Sequence, residues 1–308
     1  MDSRHDVVVV GGGAAGLTAG IVLARAQAEV LLVDAGRPRN APAAAMHGFV
    51  SRDGMSPLEF QRTGKEEFAR YGGTLAEGRV EDAVRQPNGS FQLRLSHGSL
   101  AGARAVLVAT GLTDELPELP GVRELWGESV HHCPHCHGYE VRGQEIVVLG
   151  GRMPPISLHH AGLLRRYSDR VTLCPNGMEV PDTELRRLSA HGVRIADGKA
   201  TGLATDEGRL VGVELAGGGR LDCAAVFIAP RPRPNDGTLR ALGCATDPGT
   251  GWVRVDAAGA TSVPGVWAAG NVVDPRAQVI TAAGAASAAA IAVVGRLLEQ
   301  DLAAADAR

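Results

Sequence analysis

The stretch from Asp6 to Asp34 restricts the fold of this chain more than any other. "DVVVV" is a short run rich in β-branched residues, and "GGGAAG" follows it at once. "LTAGIVLARAQA" then spaces its apolar residues as a helix does, and "EVLLVD" is a second strand ending on an acid. Strand, glycine turn, helix and strand make the opening of a dinucleotide-binding βαβ unit. Gly11, Gly13 and Gly16 fill the G-x-G-x-x-G positions, where the backbone turns tightly, approaches a pyrophosphate and lets helix pack on strand. Asp34, about 20 residues on, can accept the ribose hydroxyls. A glycine fingerprint alone is weak; in register with strand, helix and acid it predicts a nucleotide site.

The 308 residues are enough for two domains, and a second βαβ opening begins at "QEIVVLGG". Between the two openings, "RPRNAPAAAMHGFVSRDGMSP" has no periodicity and reads as a long functional loop. His47 in that loop is open to a role at a cofactor or substrate face, or to none. "AVLVATG" is a buried strand ending in Ala109-Thr110-Gly111, and the proline-rich "TDELPELPG" follows. A second proline-rich hinge, "PRPRPNDG", precedes "GVWAAGNVVDP" and an Ala-rich helix. The expected architecture is α/β with two Rossmann-like, three-layer nucleotide-binding domains. Residues 1–115 and 245–308 would form the first and residues 116–244 an inserted second. Net charge is −3, which offers no basic face to nucleic acid or an anionic membrane. The chain reaches its first strand before any apolar leader could form, and the Ala- and Gly-rich stretch from Val279 to Gly295 reads as a buried helix. A soluble, cytoplasmic protein is expected, in which five cysteines would not form a disulfide scaffold.

"GGGAAG", "LVATG", the C-x-x-C within "HHCPHCHGYE" and "GVWAAGNVVDP…QVITAAG" occur here in one order along the whole chain. Together they resemble the low-molecular-weight thioredoxin reductase family of flavoproteins. The resemblance implies a discontinuous FAD domain, an inserted nicotinamide-type domain carrying the dithiol, and a homodimer. It implies that Gly11, Gly13, Ala14, Ala15 and Gly16 hold the FAD pyrophosphate and Asp34 the adenosine ribose. Ala109, Thr110, Gly111, Gly270, Asn271, Gln278 and Val279 would line the rest of the cofactor site. The family usually has Asp where Asn271 stands, and Asp274 is a nearby alternative for its contact with the ribityl chain.

The second opening departs from that pattern. Gly150 and Gly151 are followed by Arg152, where a close-approach glycine belongs. Pro154 and Pro155 then supply no backbone N–H at a helix start where such donors bind phosphate. After the next strand, "CPNGME" brings no Arg or Lys before Arg186 to meet a 2′-phosphate. We expect NADPH recognition to be lost. The motif Cys133-Pro134-His135-Cys136-His137 also replaces the family's C-A-T-C-D. It resembles the dithiol oxidases of gliotoxin and holomycin biosynthesis, antibiotic-type pathways, which close a disulfide in a small natural product and pass the electrons to O2.

A thiol attacks a disulfide only as thiolate, and an ordinary cysteine, with pKa near ~8.5, is mostly protonated at neutral pH. A neighbouring imidazole titrates in the range needed to take and return that proton. His137 has the family position of the acid–base aspartate and His132 adjoins Cys133; the sequence leaves both open. His131 and His135 read as solvated neighbours. In the expected cycle a substrate dithiol attacks the Cys133–Cys136 disulfide at Cys133, and its second thiol closes the product ring. Cys136 is, by family position, the thiol nearer the flavin. Zinc is not expected, because only one C-x-x-C exists and Cys174, Cys223 and Cys244 are scattered singly. Those three read as buried residues. The leading expectation is an FAD-dependent dithiol oxidase acting on a small molecule with O2 as acceptor. The alternatives are a thioredoxin reductase-like disulfide reductase with another or a weak NADPH donor, and a flavin-binding redox sensor without turnover.

Overall fold

Alternation along the first strand sets how its surroundings are layered. Val7 and Val9 join one core and Val8 and Val10 another, the period-two division of a strand buried on both faces. The computed structural model describes residues 3–307 and divides into two compact units. Unit 1 holds the chain up to Ala41, Ala45–Thr113 and everything from Arg233; unit 2 is Pro42–Ala44 and Asp114–Pro232.

In chain order, unit 1 begins with β1 (Ser3–Val10), α1 (Ala14–Arg25), β2 (Val30–Asp34), α2 (Pro57–Arg70) and β3 (Thr74–Glu77). β4 (Val80–Arg85), β5 (Phe91–Leu95) and β6 (Leu100–Val108) follow, and the chain crosses to unit 2 on β7 (Leu112–Glu115). There it forms β8 (Val130–His131), α3 (Pro134–His137), β9 (Ile146–Leu149), α4 (Pro154–Leu164), β10 (Val171–Cys174) and α5 (Asp182–Ala190). β11 (Arg194–Ile195), β12 (Ala200–Asp206), β13 (Arg209–Leu215), β14 (Arg220–Asp222) and β15 (Ala225–Phe227) complete it. The chain returns on β16 (Arg231–Pro234) and ends with α6 (Gly237–Ala241), β17 (Val266–Ala268) and α7 (Val279–Asp306).

In unit 1 the strands β3-β2-β1-β6 are parallel, with β17 also parallel to β6 and the antiparallel β5 and β4 extending from it. The parallel strands pack on α1 and α7 on one face and on the other share a core with α6 and with residues of the β4–β5 extension. Unit 2 repeats the plan. Its sheet β11-β10-β9-β15-β8 is all parallel, with α4 and α5 on one face and the antiparallel β12-β13-β14 on the other.

The return to unit 1 lies at Arg233 rather than at the expected residue 245. α6 is the reason: Leu239 and Leu242 pack in the unit 1 core beside Leu93 and Val106. A proline-rich hinge followed by a short helix hides that allegiance. α7 is long and apolar enough to cross a membrane, by length and composition only. Its inner side, Ala282, Ala286, Ala289, Ala290, Val293 and Leu297, packs on Ala15, Leu17 and Leu23 of α1. Its other side exposes Ile280, Ile291, Leu298 and Leu302, so this helix is buried on one side and not all round.

Candidate active site

The glycine turn of unit 1 is built by close backbone approach. Gly11 has φ +105°, and a methyl group there would stand 2.4 Å from the Ala109 carbonyl oxygen. A methyl at Gly16 would stand 1.7 Å from the Gly11 carbonyl oxygen. These two glycines are therefore fixed by the turn itself. Gly13 differs. It caps the N-terminus of α1 without a side-chain hydrogen bond, and a methyl there would meet no described atom within 4 Å. The space before Ala14, Ala15 and Gly16 is open, and the first-turn amides of a helix have no intrahelical acceptor. That is the donor set an FAD pyrophosphate requires.

Of the other expected residues of this unit, Ala109, Thr110 and Gly270 lie against the same turn. Gly270, at φ +76°, approaches Ala15 of α1 and Ala282 of α7. Thr110 donates to the Asn235 carbonyl at 2.7 Å, and the Asn235 amide donates back to the Thr110 carbonyl at 3.0 Å, which locks Ala109-Thr110-Gly111. Asn271 donates to the carbonyls of Asp274 and Ala277 at 2.9 Å and accepts from Arg39 at 3.3 Å. Gln278 is the N-cap of α7 and Val279 its first residue. His47 lies beside Asp53, with Nδ1 3.5 Å from the carboxylate.

Asp34 carries more partners than the sequence suggested. The Gly12 amide donates to it at 3.1 Å, Gln61 at 3.1 Å, and Lys65 lies 2.6 Å away. Gln61 also donates to the Gly12 carbonyl. Gln61 and Lys65 stand one turn apart on α2, and i, i+4 polar spacing on an amphipathic helix gives no signal that separates them from a solvated face. Gly12 is constrained as well, since a methyl there would collide with the Asp34 side chain.

Unit 2 holds the thiol centre. Cys133 and Cys136 form a disulfide across the single turn of α3, with Cys133 as N-cap and Cα atoms 5.2 Å apart. Amides of Cys136 and His137 donate to the Cys133 carbonyl at 3.1 Å. Gly138 closes the turn against Tyr167, where a methyl would come within 2.7 Å of the ring. Both cysteines are partly exposed. His132 is half-buried and stacks on Trp126, with ring centroids 5.5 Å apart. His135 is exposed, as expected.

His131 is a correction. It is buried and not solvated, because β8 pairs with β15 and sets it opposite Phe227. Its ring stacks on His137 at 4.3 Å and tilts against Phe227 at 5.3 Å. Burial, followed by the neighbouring His137 and His132, pushes its pKa down to about 3, so it is neutral at working pH. His160 on α4, which the motif did not include, is likewise pushed down to about 4 by burial and then by His132, His159 and His135. Cys174, Cys223 and Cys244 are buried and reduced; burial raises all three thiols, Cys223 to about 12. Among the described residues no group of His, Cys, Asp or Glu is arranged to hold a metal ion.

The second glycine turn presents a different surface. α4 begins with Pro154 and Pro155, and the amides of Ile156 and Ser157 both bond the Met153 carbonyl, at 3.0 and 3.1 Å. Gly150 persists for another reason: a methyl there would stand 2.2 Å from the Pro175 carbonyl oxygen. Arg152 is exposed.

Comparison with known proteins places the chain among these folds. The model of the pyridine nucleotide-disulphide oxidoreductase family matches residues 5–289. Thioredoxin reductase sirT of Leptosphaeria maculans is 30% identical over 326 residues, covering 98% of this chain and 97% of its own. Thioredoxin reductase tcpT of Claviceps purpurea is 36% identical over 207 residues, which cover 65% of this chain and 62% of tcpT. The crystal structure of HlmI superposes with a TM-score of 0.94 at 50% identity, over 97% of this chain and 94% of that one.

Proposed function

The chain belongs to the pyridine nucleotide-disulphide oxidoreductase family, whose thioredoxin reductase-like members are FAD-binding flavoproteins, and from that premise we propose that it is an FAD-dependent dithiol oxidase. It closes a disulfide in a small-molecule dithiol through Cys133 and Cys136, with O2 as the terminal acceptor. One observation carries the reading. The helix start that would hold a nicotinamide dinucleotide has prolines at its first two positions, and the third amide, of Ile156, is already bonded to Met153. Phosphate recognition at a helix N-terminus depends on free N–H groups, so the thiol pair is left as the entry for electrons.

The step at the pair balances without another reagent. One substrate thiolate attacks Sγ of Cys133, the Cys133–Cys136 bond breaks, and Cys136 leaves as thiolate. The second substrate thiolate attacks the substrate sulfur of the mixed disulfide, the product disulfide forms, and Cys133 leaves. The substrate loses two electrons and two protons, and the cysteines gain two electrons. His132 or His137 takes the protons, since His131 stays neutral down to a pKa of about 3. When bound, FAD supplies the two-electron acceptor that returns the pair to the disulfide, with O2 leaving as hydrogen peroxide. Gly11, Gly13, Ala14, Ala15, Gly16 and Asp34 would hold its pyrophosphate and ribose. Ala109, Thr110, Gly111, Gly270, Asn271, Gln278 and Val279 would line the remainder. The reading includes a cytoplasmic homodimer; the exposed stripe Ile280, Ile291, Leu298 and Leu302 supports self-association, which sedimentation equilibrium reads directly.

Oxygen uptake with a panel of small dithiols tests the function. Cys133→Ser and Cys136→Ser are each expected to lower uptake by about 10³-fold or more, as for an essential nucleophile. The names of sirT and tcpT favour the second reading, a protein-disulfide reductase. Turnover of oxidised thioredoxin with no oxygen uptake from any small dithiol would establish that reading and end the first.

A further inference from the structure

Six of the ten histidines fall between His131 and His160, and the last of them lies outside the thiol motif. His160 and Ser157 are three residues apart on the buried face of α4. Ser157 is fully buried and His160 is 6% exposed. Ser157 Oγ and His160 Nδ1 are both buried, with no hydrogen-bond partner among the described residues. Buried polar atoms in folded proteins are rarely left so; where protein offers no partner, an ordered water with two to four polar contacts does. Two such atoms on one helix face mark the place for it.

α4 packs against α3, the helix of the redox pair. The titratable groups that bear on His160 are His132 and His135 from the thiol motif and His159 from its own helix. His135 and His159 are exposed and have bulk water. His132 is half-buried, stacked on Trp126 and adjacent to Cys133. We propose that His160 is a positioning residue for His132: from the inner face of α4 it holds, through one water shared with Ser157, the imidazole that takes the proton released at Cys133. The proposal rests on the thiol-pair reading and selects His132 over His137 as the base. A nucleophile, a base within reach and a third group that orients the base is the general arrangement for activating a thiol.

Burial keeps His160 neutral through the working range. It therefore offers a hydrogen-bonding nitrogen to the group beside it and puts no competing charge next to an imidazolium at His132. The helix is also free for this use, because its first turn carries Pro154 and Pro155 in place of phosphate-binding amides.

The pH dependence of alkylation is the test. The holoprotein is reduced anaerobically, freed of reductant, and treated with iodoacetamide from pH 5 to 10, with Cys133 carboxamidomethylation followed by mass spectrometry. Wild-type protein should show a midpoint below the ordinary cysteine value of ~8.5. His160→Phe should move it up by about one unit, a roughly fivefold loss of thiolate at the wild-type midpoint. His160→Asn, whose amide oxygen stands near the place of Nδ1, should restore most of the shift, and Ser157→Ala should move the midpoint the same way by less. A purely structural role would lower the melting temperature without moving the midpoint. Superimposable profiles for wild type and His160→Phe would overturn the proposal. If that variant does not fold, superimposable profiles for Ser157→Ala and wild type would do so. Alkylation needs neither substrate nor oxygen. Absent oxygen uptake with a shifted midpoint would therefore refute the oxidase and support the positioning role.

Discussion

The two units present the same local frame twice, a buried parallel strand, a glycine turn and a helix, and use it in opposite ways. After β1, Gly11 and Gly16 make a turn that no side chain could occupy, and Gly13 leaves clear space before Ala14, Ala15 and Gly16. After β9, Gly150 still packs tightly, but against the Pro175 carbonyl, and the helix opens on two prolines. The glycine that survives in the second turn is therefore a packing residue. The difference teaches that sheet and helix positions depend on burial, whereas ligand recognition depends on a few N–H groups and on open space. The second can be erased while the first stands.

Substitutions can break or sharpen that contrast. The largest effect is expected for Gly16→Ala, whose methyl has only 1.7 Å to the Gly11 oxygen. It should lose nearly all bound flavin, read as the absorbance ratio of purified protein, together with a lower melting temperature. In the second turn, where Pro155 stands at the position of Gly16, Gly151→Ala meets no described atom within 4 Å, and its stability should stay within about 0.5 kcal/mol of wild type. Should both variants behave alike, the contrast fails.

Next comes Gly13→Ala. The apoprotein should fold normally, because the methyl enters open space, while FAD affinity measured by titration falls about tenfold or more, some 1.4 kcal/mol. Undiminished affinity would mean that the space before α1 is not the cofactor cradle.

A smaller effect follows from His131. Its folded pKa of about 3 lies below the ordinary His value, so between the two the unfolded chain binds more protons. Stability of unit 2 should then fall as pH drops below ~6.5, by about 1.4 kcal/mol per pH unit for this group, and level off near its folded pKa. His131→Phe keeps a ring against Phe227 and removes the titration. Urea unfolding of that variant from pH 4 to 7 should show a slope reduced by about one proton. An unchanged slope would place the proton uptake elsewhere.

Where local chemistry and long-range structure coincide, the sequence is readable. β1, the glycine turn, α1, β2 and Asp34 form one continuous stretch, and the loss of amides at Pro154 and Pro155 follows from residue type alone. Partners from elsewhere are not legible. Gln61 and Lys65 reach Asp34 from a helix that reads as a solvated face. His131 looked solvated because "HHCPHCH" is polar throughout, yet pairing of β8 with β15 puts it inside. His160 feels His132 and His135 of the motif from a helix beyond β9 that packs on α3, a relation that no spacing rule encodes. The return to unit 1 at Arg233 is not legible because a five-residue helix shows too little periodicity to reveal which core takes Leu239.

The central claim is that electrons enter through Cys133 and Cys136 and not from a pyridine nucleotide. Anaerobic stopped-flow mixing of the holoprotein, read at the absorbance band of the oxidised flavin, tests it most directly. Bleaching with excess small dithiol, abolished in Cys136→Ser, and a flat trace with millimolar NADPH or NADH are the expected result. Rapid bleaching by either nucleotide would contradict the account.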